Sequence, residues 1–302
     1  MRITATPVAT PAQRGRGVVR RRNVLLASVV DALLWVFLVG AVVLVMVPVA
    51  FMFVASFMPP AEIFRSPFPW WPSQLYFDNF LHALRGNDGR YLFVRTILNS
   101  TGVALSISLA TVILATLTGY SLAKLPFRGR TIVFLLILST LMIPFETIMI
   151  PLYIVVTNIG LQDTYQGLIV PFLVSAFGVF LMRQTLLSFP DELLDAARID
   201  GASEFGIFWR IVLPNAVPAM AVLGVLTFQG QWDNLIWPLL VVQSDSLKTI
   251  PLYIAAFTEE KHTNEGAMVA VAAIASLPML ILFVSLSRYF LRGANLFSAT
   301  KG

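Results

Sequence analysis

Apolar residues run through this chain in long blocks rather than in the alternation of a half-buried strand or the one-sided stripe of a soluble helix. Six blocks reach the ~20 residues that a membrane-spanning helix needs. They cover residues 32–57, 96–122, 131–156, 165–187, 216–242 and 268–290. Prolines fall inside several of them, at Pro48, Pro144, Pro151, Pro171 and Pro238. Bundled membrane helices accept such prolines because neighbouring helices can satisfy the freed backbone groups. The pattern predicts an all-α membrane protein with six spans.

Composition agrees. Charged residues make up 12% of the 302, about half the share of an ordinary soluble domain, and hydrophobic residues 57%. The solvent for most of the surface is therefore lipid. The formal net charge of +5 points to short loops on one side of a bilayer and not to nucleic acid. With the N-terminus placed inside, 15 of the 21 Lys and Arg residues fall in inside segments. Both termini are thus expected in the cytoplasm, as an even number of spans also requires.

Residues 1–28 are expected to form a basic, disordered cytoplasmic tail, residues 29–290 the six-span domain and residues 291–302 a C-terminal tail. The first apolar block exceeds the h-region of a secretory signal, so it reads as a retained span. There is no cysteine and only His82 and His262, which leaves no thiol chemistry and little prospect of a histidine-rich metal site. Two outside segments, 59–95 and 243–266, are long enough to meet a partner. The first is rich in aromatics, including Trp70 and Trp71, which also suit a belt at the lipid surface.

The connection between the fourth and fifth blocks, residues 188–214, is large for a polytopic bundle. Pro190, Asp191 and Glu192 suit a first helical turn. Leu193, Leu194, Ala196 and Ala197 give an apolar face at helical spacing. Gly201 breaks that helix, and Ser203 can cap a second short one carrying Phe205, Phe208, Trp209 and Val212. Pro214 precedes the next span. A helix lying on the membrane surface is the competing reading.

The spacing Asp195-Ala196-Ala197, three residues, Gly201, nine residues, Ile211-x-Leu213-Pro214 resembles the Glu-Ala-Ala loop of ABC-importer permeases. Asp195 stands where that family usually has glutamate. Met142-Ile-Pro144, Ile150-Pro-Leu-Tyr153, Phe180-Leu-Met-Arg-Gln184 and Trp232-Asp-Asn-Leu-Ile-Trp-Pro-Leu239 extend the resemblance to carbohydrate-type permeases, and the C-terminal Arg292-Gly293 and Thr300-Lys-Gly302 to the maltose-type second permease. The resemblance implies a type I importer permease fold in the cytoplasmic membrane of a prokaryote. It implies that Asp195, Ala196, Ala197 and Gly201 couple the chain to an ATPase. It further implies two copies of that ATPase, a second homologous permease and an extracytoplasmic solute-binding protein. No lysine follows a glycine, so a phosphate-binding Gly-Lys-Ser/Thr loop is missing from the sequence. ATP and Mg are expected in the partner ATPase, with no cofactor in this chain.

Ionisable residues at membrane depth are costly unless they face a cavity or a partner. Glu146 and Asp233 are candidates for the substrate pathway, with Trp232, Asn234 and Trp237 beside Asp233. Aromatic faces and amides of this kind suit a sugar; structural packing is the alternative. A proton-coupled secondary transporter would also use Glu146 and Asp233, but it gives the 188–214 loop no purpose. The solute is open between a sugar, a polyol and glycerol 3-phosphate.

Overall fold

A computed structural model describes residues 14–85, 91–259 and 264–298, with side chains described over 30–85, 91–255 and 264–285. Every regular element among them is helical. The chain divides into two compact units, Met1–Val54 and Ala55–Gly302.

The first unit holds most of α1 (Arg14–Ser56). The helix begins at Arg14, so it reaches into the stretch expected to be a disordered tail; residues 1–13 lie outside the described residues. Its Val30–Ser56 portion has a mean hydropathy of 2.8 and exposes Leu34, Trp35, Phe37 and Leu44. Such a surface requires lipid or protein around it.

The second unit opens with two short helices, α2 (Pro60–Ile63) and α3 (Asp78–Arg85). The carboxylate of Glu62 accepts hydrogen bonds from the backbone N–H and the hydroxyl of Ser73, closing the loop between them. Asn79, fully buried, donates to the carbonyls of Ser56 and Met58, 3.1 and 2.7 Å away.

The centre of the unit is α4 (Leu92–Lys124). Its buried face carries Thr96, Ser100, Ala104, Ile107, Thr111, Ala115, Gly119 and Ala123, at three- and four-residue spacing. Small residues let helix backbones approach closely where lipid supplies no hydrophobic drive. Gly119 shows how close: a Cβ built there would lie 2.8 Å from Met182 Cβ and 2.9 Å from the Arg183 backbone nitrogen. Leu98, Leu105, Leu109 and Ile113 cover the opposite, exposed face. Some hydroxyls return their hydrogen bonds to the helix, as in Thr116 to Val112 O at 2.6 Å, whereas Thr111 donates across to Phe172 O and Leu173 O.

The third expected span is broken. It forms α5 (Arg130–Thr140) and α6 (Phe145–Asn158), bent by 94° at residues 141–144. Pro144 causes the break: its ring bars the preceding residue from helical geometry, and its own backbone is extended at ψ 140°. Pro151, in contrast, stays inside α6. The fourth span is α7 (Tyr165–Ile169), a 3-10 turn at Val170–Phe172 and α8 (Ala176–Leu187), bent by 42°. Thr164 and Ser175 cap α7 and α8 by accepting from the Gly167 and Gly178 amides at 3.1 Å.

Two helices cover the loop after α8, α9 (Asp191–Ile199) and α10 (Glu204–Ile207). A π-helical turn, Phe208–Val212, then leads into α11 (Leu213–Trp232). The fifth expected span ends early, at Trp232, and its remainder forms α12 (Ile236–Val241). The unit closes with α13 (Ile250–Glu259) and α14 (Glu265–Ser298), which extends over most of the expected C-terminal tail.

Among the described residues, four helices are long and apolar enough to cross a membrane, and six spans result if each bent pair counts as one. α4 packs on α8 and α11, and α11 packs on α8 and α14.

Candidate functional site

The 188–214 loop folds as a cross-bar over the last turns of α4. Pro190, with φ −61° and ψ 128°, stands just before α9 as its N-cap residue, and Asp191 and Glu192 occupy the first turn. At the other end the chain leaves through Gly201, at φ +81°. The Gly201 N–H donates to Arg198 O and the Ala202 N–H to Ala197 O, both at 3.0 Å. These two bonds satisfy carbonyls the helix end would leave open, a Schellman termination. No atom lies within 4 Å of a Cβ built on Gly201, so glycine is required here by backbone conformation and not by crowding.

Three attachments hold α9. Leu194, 1% exposed, enters a cluster with Tyr120, Leu122, Met182, Ile207, Phe208 and Val212. At the N-terminal end, Lys124 donates from Nζ to Asp191 Oδ1 and to Phe189 O, each at 2.6 Å. The hydrogen bond and charge of Lys124 hold the Asp191 carboxyl below the usual carboxylate range. At the C-terminal end, Arg198 donates from Nε to Glu204 Oε1 and from Nη1 to Asp195 Oδ1, both at 2.7 Å. Glu204, followed by Asp195, keeps the guanidinium firmly charged. Glu204 Oε2 in turn accepts from the Tyr120 hydroxyl at 2.9 Å.

The apolar positions of α9 divide. Leu194 and half-buried Ala197 face the bundle, whereas Leu193, Ala196 and Ile199 are exposed, Ile199 at 86%. The four residues read from the sequence as one face are therefore two faces, because Leu193 and Leu194 lie about 100° apart around the helix. Phe205 and Trp209, which stack edge to face at 5.9 Å, extend the exposed surface.

Ser203 caps α10 as expected, accepting from the Gly206 amide at 3.2 Å. The expected separation of the second short helix from the next span is absent. Residues Glu204–Trp232 form one helical stretch of 29 residues. At ~1.5 Å per residue it is longer than a ~30 Å hydrocarbon core. Pro214 is tolerated near the start of α11 because the π turn before it has already departed from the regular hydrogen-bond ladder.

The loop places Asp195, Ala196, Ala197 and Gly201 together, with Asp195, Ala196 and Gly201 exposed. No local sequence pattern marks Lys124, Tyr120, Arg198 or Glu204 as partners of this loop. A proline–acid helix start gives no indication of which distant lysine or tyrosine will meet it.

The proposed pathway residues separate into two groups. Glu146 lies exposed in the first turn of α6, next to the 94° break. Asp233 lies exposed at the C-terminal end of α11, and Asn234 follows it with Oδ1 accepting from the Trp237 amide at 3.3 Å. The two breaks adjoin, since Phe145 meets the Trp237 ring at 6.1 Å. Both indoles are interior. Trp237, 1% exposed, donates from Nε1 to Gly167 O at 3.0 Å and packs on Phe172. Trp232 stacks on Phe228 at 5.5 Å within a second cluster. Within the chain both indoles are covered by neighbours, the arrangement of the packing alternative. Among the described residues no group of three His, Cys, Asp or Glu could hold a metal ion.

Residues 92–295 match the family model described as binding-protein-dependent transport system inner membrane component. The chain belongs to this family. It is a membrane-embedded permease subunit of an ABC import system, in a family whose members are not themselves catalytic. The arabinooligosaccharides transport system permease protein AraQ of Halalkalibacterium halodurans is 36% identical over 248 residues, 82% of this permease and 88% of the relative. The sn-glycerol-3-phosphate transport system permease protein UgpE of Rhizobium meliloti is 33% identical, covering 85% and 93%. A chain from the crystal structure of a bacterial ABC transporter involved in the import of the acidic polysaccharide alginate superposes with a TM-score of 0.73. It covers 94% of this permease and all of that chain, at 22% identity, and supports the type I permease fold.

Proposed function

We propose that this permease carries a carbohydrate across the cytoplasmic membrane of a prokaryote, with the 188–214 loop seated on an ATPase partner. Its six spans comprise the four long helices and the two bent pairs, with both termini in the cytoplasm. The single observation that carries the reading is the exposed patch on a loop rigidly held from behind: Leu193, Ala196, Ile199, Phe205 and Trp209 face outward. An apolar surface on a cytoplasmic loop needs a protein to cover it.

Two ATPase subunits bind ATP and Mg and close on each other during the cycle. One of them pushes on α9 at Asp195, Ala196, Ala197 and Gly201, while a second homologous permease completes the pathway and a solute-binding protein delivers from outside. A family defined by dependence on a binding protein supports that last partner.

Glu146 and Asp233 serve the pathway, each exposed beside a helix break. A carboxylate at membrane depth is retained only where it faces water or a partner. An arabinooligosaccharide relative supports a sugar as solute, and a glycerol 3-phosphate relative supports a phosphorylated polyol as the second reading. Uptake of radiolabelled arabinooligosaccharide and of glycerol 3-phosphate by proteoliposomes holding the full complex separates the two. Uptake that continues without the ATPase subunits would overturn the coupling role.

A further inference from the structure

The placement of α9 poses a mechanical question that the motif residues leave open. A loop that receives a push must be stiff, or the push is absorbed. Leu194 alone, buried at the centre of α9, would leave the helix free to pivot about that point. Tyr120 and Lys124 stand four residues apart on α4, which puts them on one face of it. Lys124 holds Asp191 at the start of α9. Tyr120 reaches the other end through Glu204 and Arg198.

We propose that Tyr120, Arg198 and Glu204 are positioning residues that lock α9 to α4, and that Asp195 serves this lock by holding Arg198. The inference rests on the coupling role of the loop proposed above.

The geometry supports each member. The Arg198 guanidinium divides its donors between two acids, Nε to Glu204 and Nη1 to Asp195, both at 2.7 Å. A planar fork can do this, whereas the point charge of a lysine cannot hold two fixed directions. Exposed ion pairs are individually weak, and the Arg198 side chain is 33% exposed. The lock is more than such a pair because its far end is a tyrosine 4% exposed within the bundle core. The Tyr120 ring also packs on Phe208 at 5.3 Å, so its hydroxyl has little freedom to leave Glu204. Asp195 Oδ1 is already engaged three residues along its own helix. The acidic residue of the motif thus organises the loop through Oδ1 as well as standing on the exposed surface beside Leu193, Ala196 and Ile199.

The chain has no cysteine, so spin labels can be placed at will. Labels at Asp200→Cys, at the exposed C-terminal end of α9, and Leu117→Cys on the exposed face of α4 report their separation by double electron–electron resonance in the assembled transporter. The lock predicts one narrow distance distribution in the parent protein. Tyr120→Phe keeps the ring and removes the hydroxyl; Glu204→Gln keeps an acceptor and removes the ion pair. Each is expected to broaden the distribution at least twofold and to lower ATP hydrolysis by the complex several-fold without loss of assembly. Members of one lock must also be non-additive: the double variant should be no worse than the weaker single variant. Distributions as narrow as the parent's, or fully additive losses, would overturn the lock. A narrow distribution in a complex whose ATPase subunits leave Ile199→Cys open to maleimide would instead overturn the coupling role and leave the lock standing.

Discussion

Tyr120 and Lys124 stand one turn apart on α4, and each holds an opposite end of α9: Lys124 at Asp191, Tyr120 through Glu204 at Arg198. The loop therefore belongs mechanically to α4 as much as to the helices that precede and follow it in sequence.

The Lys124 end has a pH signature. The Asp191 carboxyl is held below its ordinary value by Lys124, so its contribution is fully present above the unfolded carboxylate range, ~3.9, and is lost as pH falls through the lower folded value. Hydrogen exchange of α9 amides, corrected for intrinsic rate, should be unchanged from pH 7 to about 5 and rise only well below 4. In Lys124→Met the same amides should exchange faster already at pH 7, because Phe189 O loses its donor as well.

Gly201 should respond to substitution through its backbone alone. With φ at +81° and open space around it, Gly201→Ala is expected to cost about 1–2 kcal/mol. Gly201→Asn should cost less, since asparagine tolerates left-handed geometry. Thermal unfolding of the detergent-solubilised chain checks the order.

Two glycines of α4 should behave oppositely. Gly119→Ala sets a Cβ 2.8–2.9 Å from Met182 and the Arg183 backbone, which forces α8 away from α4 and should cost about 1–3 kcal/mol. At Gly102 a Cβ would meet nothing within 4 Å, and Gly102→Ala should be neutral or stabilising by up to ~1 kcal/mol. A thermal-shift comparison of the two variants measures the difference.

Trp237 should act as a structural residue. Trp237→Phe leaves the buried Gly167 carbonyl without its donor, a loss of about 1–3 kcal/mol. Glu146→Gln and Asp233→Asn, on exposed carboxylates, should leave unfolding temperature nearly unchanged and lower uptake. If Trp237→Phe instead changes uptake with no loss of stability, the assignment reverses.

The apolar blocks fall on the four long helices and on both bent pairs, because a bilayer demands ~20 apolar residues whatever the neighbours do. The start of α9, its glycine termination and the Ser203 cap were legible for a similar reason: each depends on a residue and its immediate successors. The right angle at residues 141–144 is not legible from Pro144 alone, because the same residue type at Pro151 is absorbed within α6. Packing decides between the two outcomes. Burial of Trp232 and Trp237, and the reach of Tyr120 to Glu204 across 84 positions of sequence, depend on helix placement that no local pattern encodes.

Accessibility of Ile199 tests the central claim most directly. In the Ile199→Cys protein the side chain is exposed on α9, and maleimide labelling should be rapid when the permeases are purified alone. Addition of the ATPase subunits should slow labelling at least tenfold, while Trp71→Cys, between α2 and α3, should label at an unchanged rate. Equal labelling of Ile199→Cys with and without bound ATPase would contradict the account.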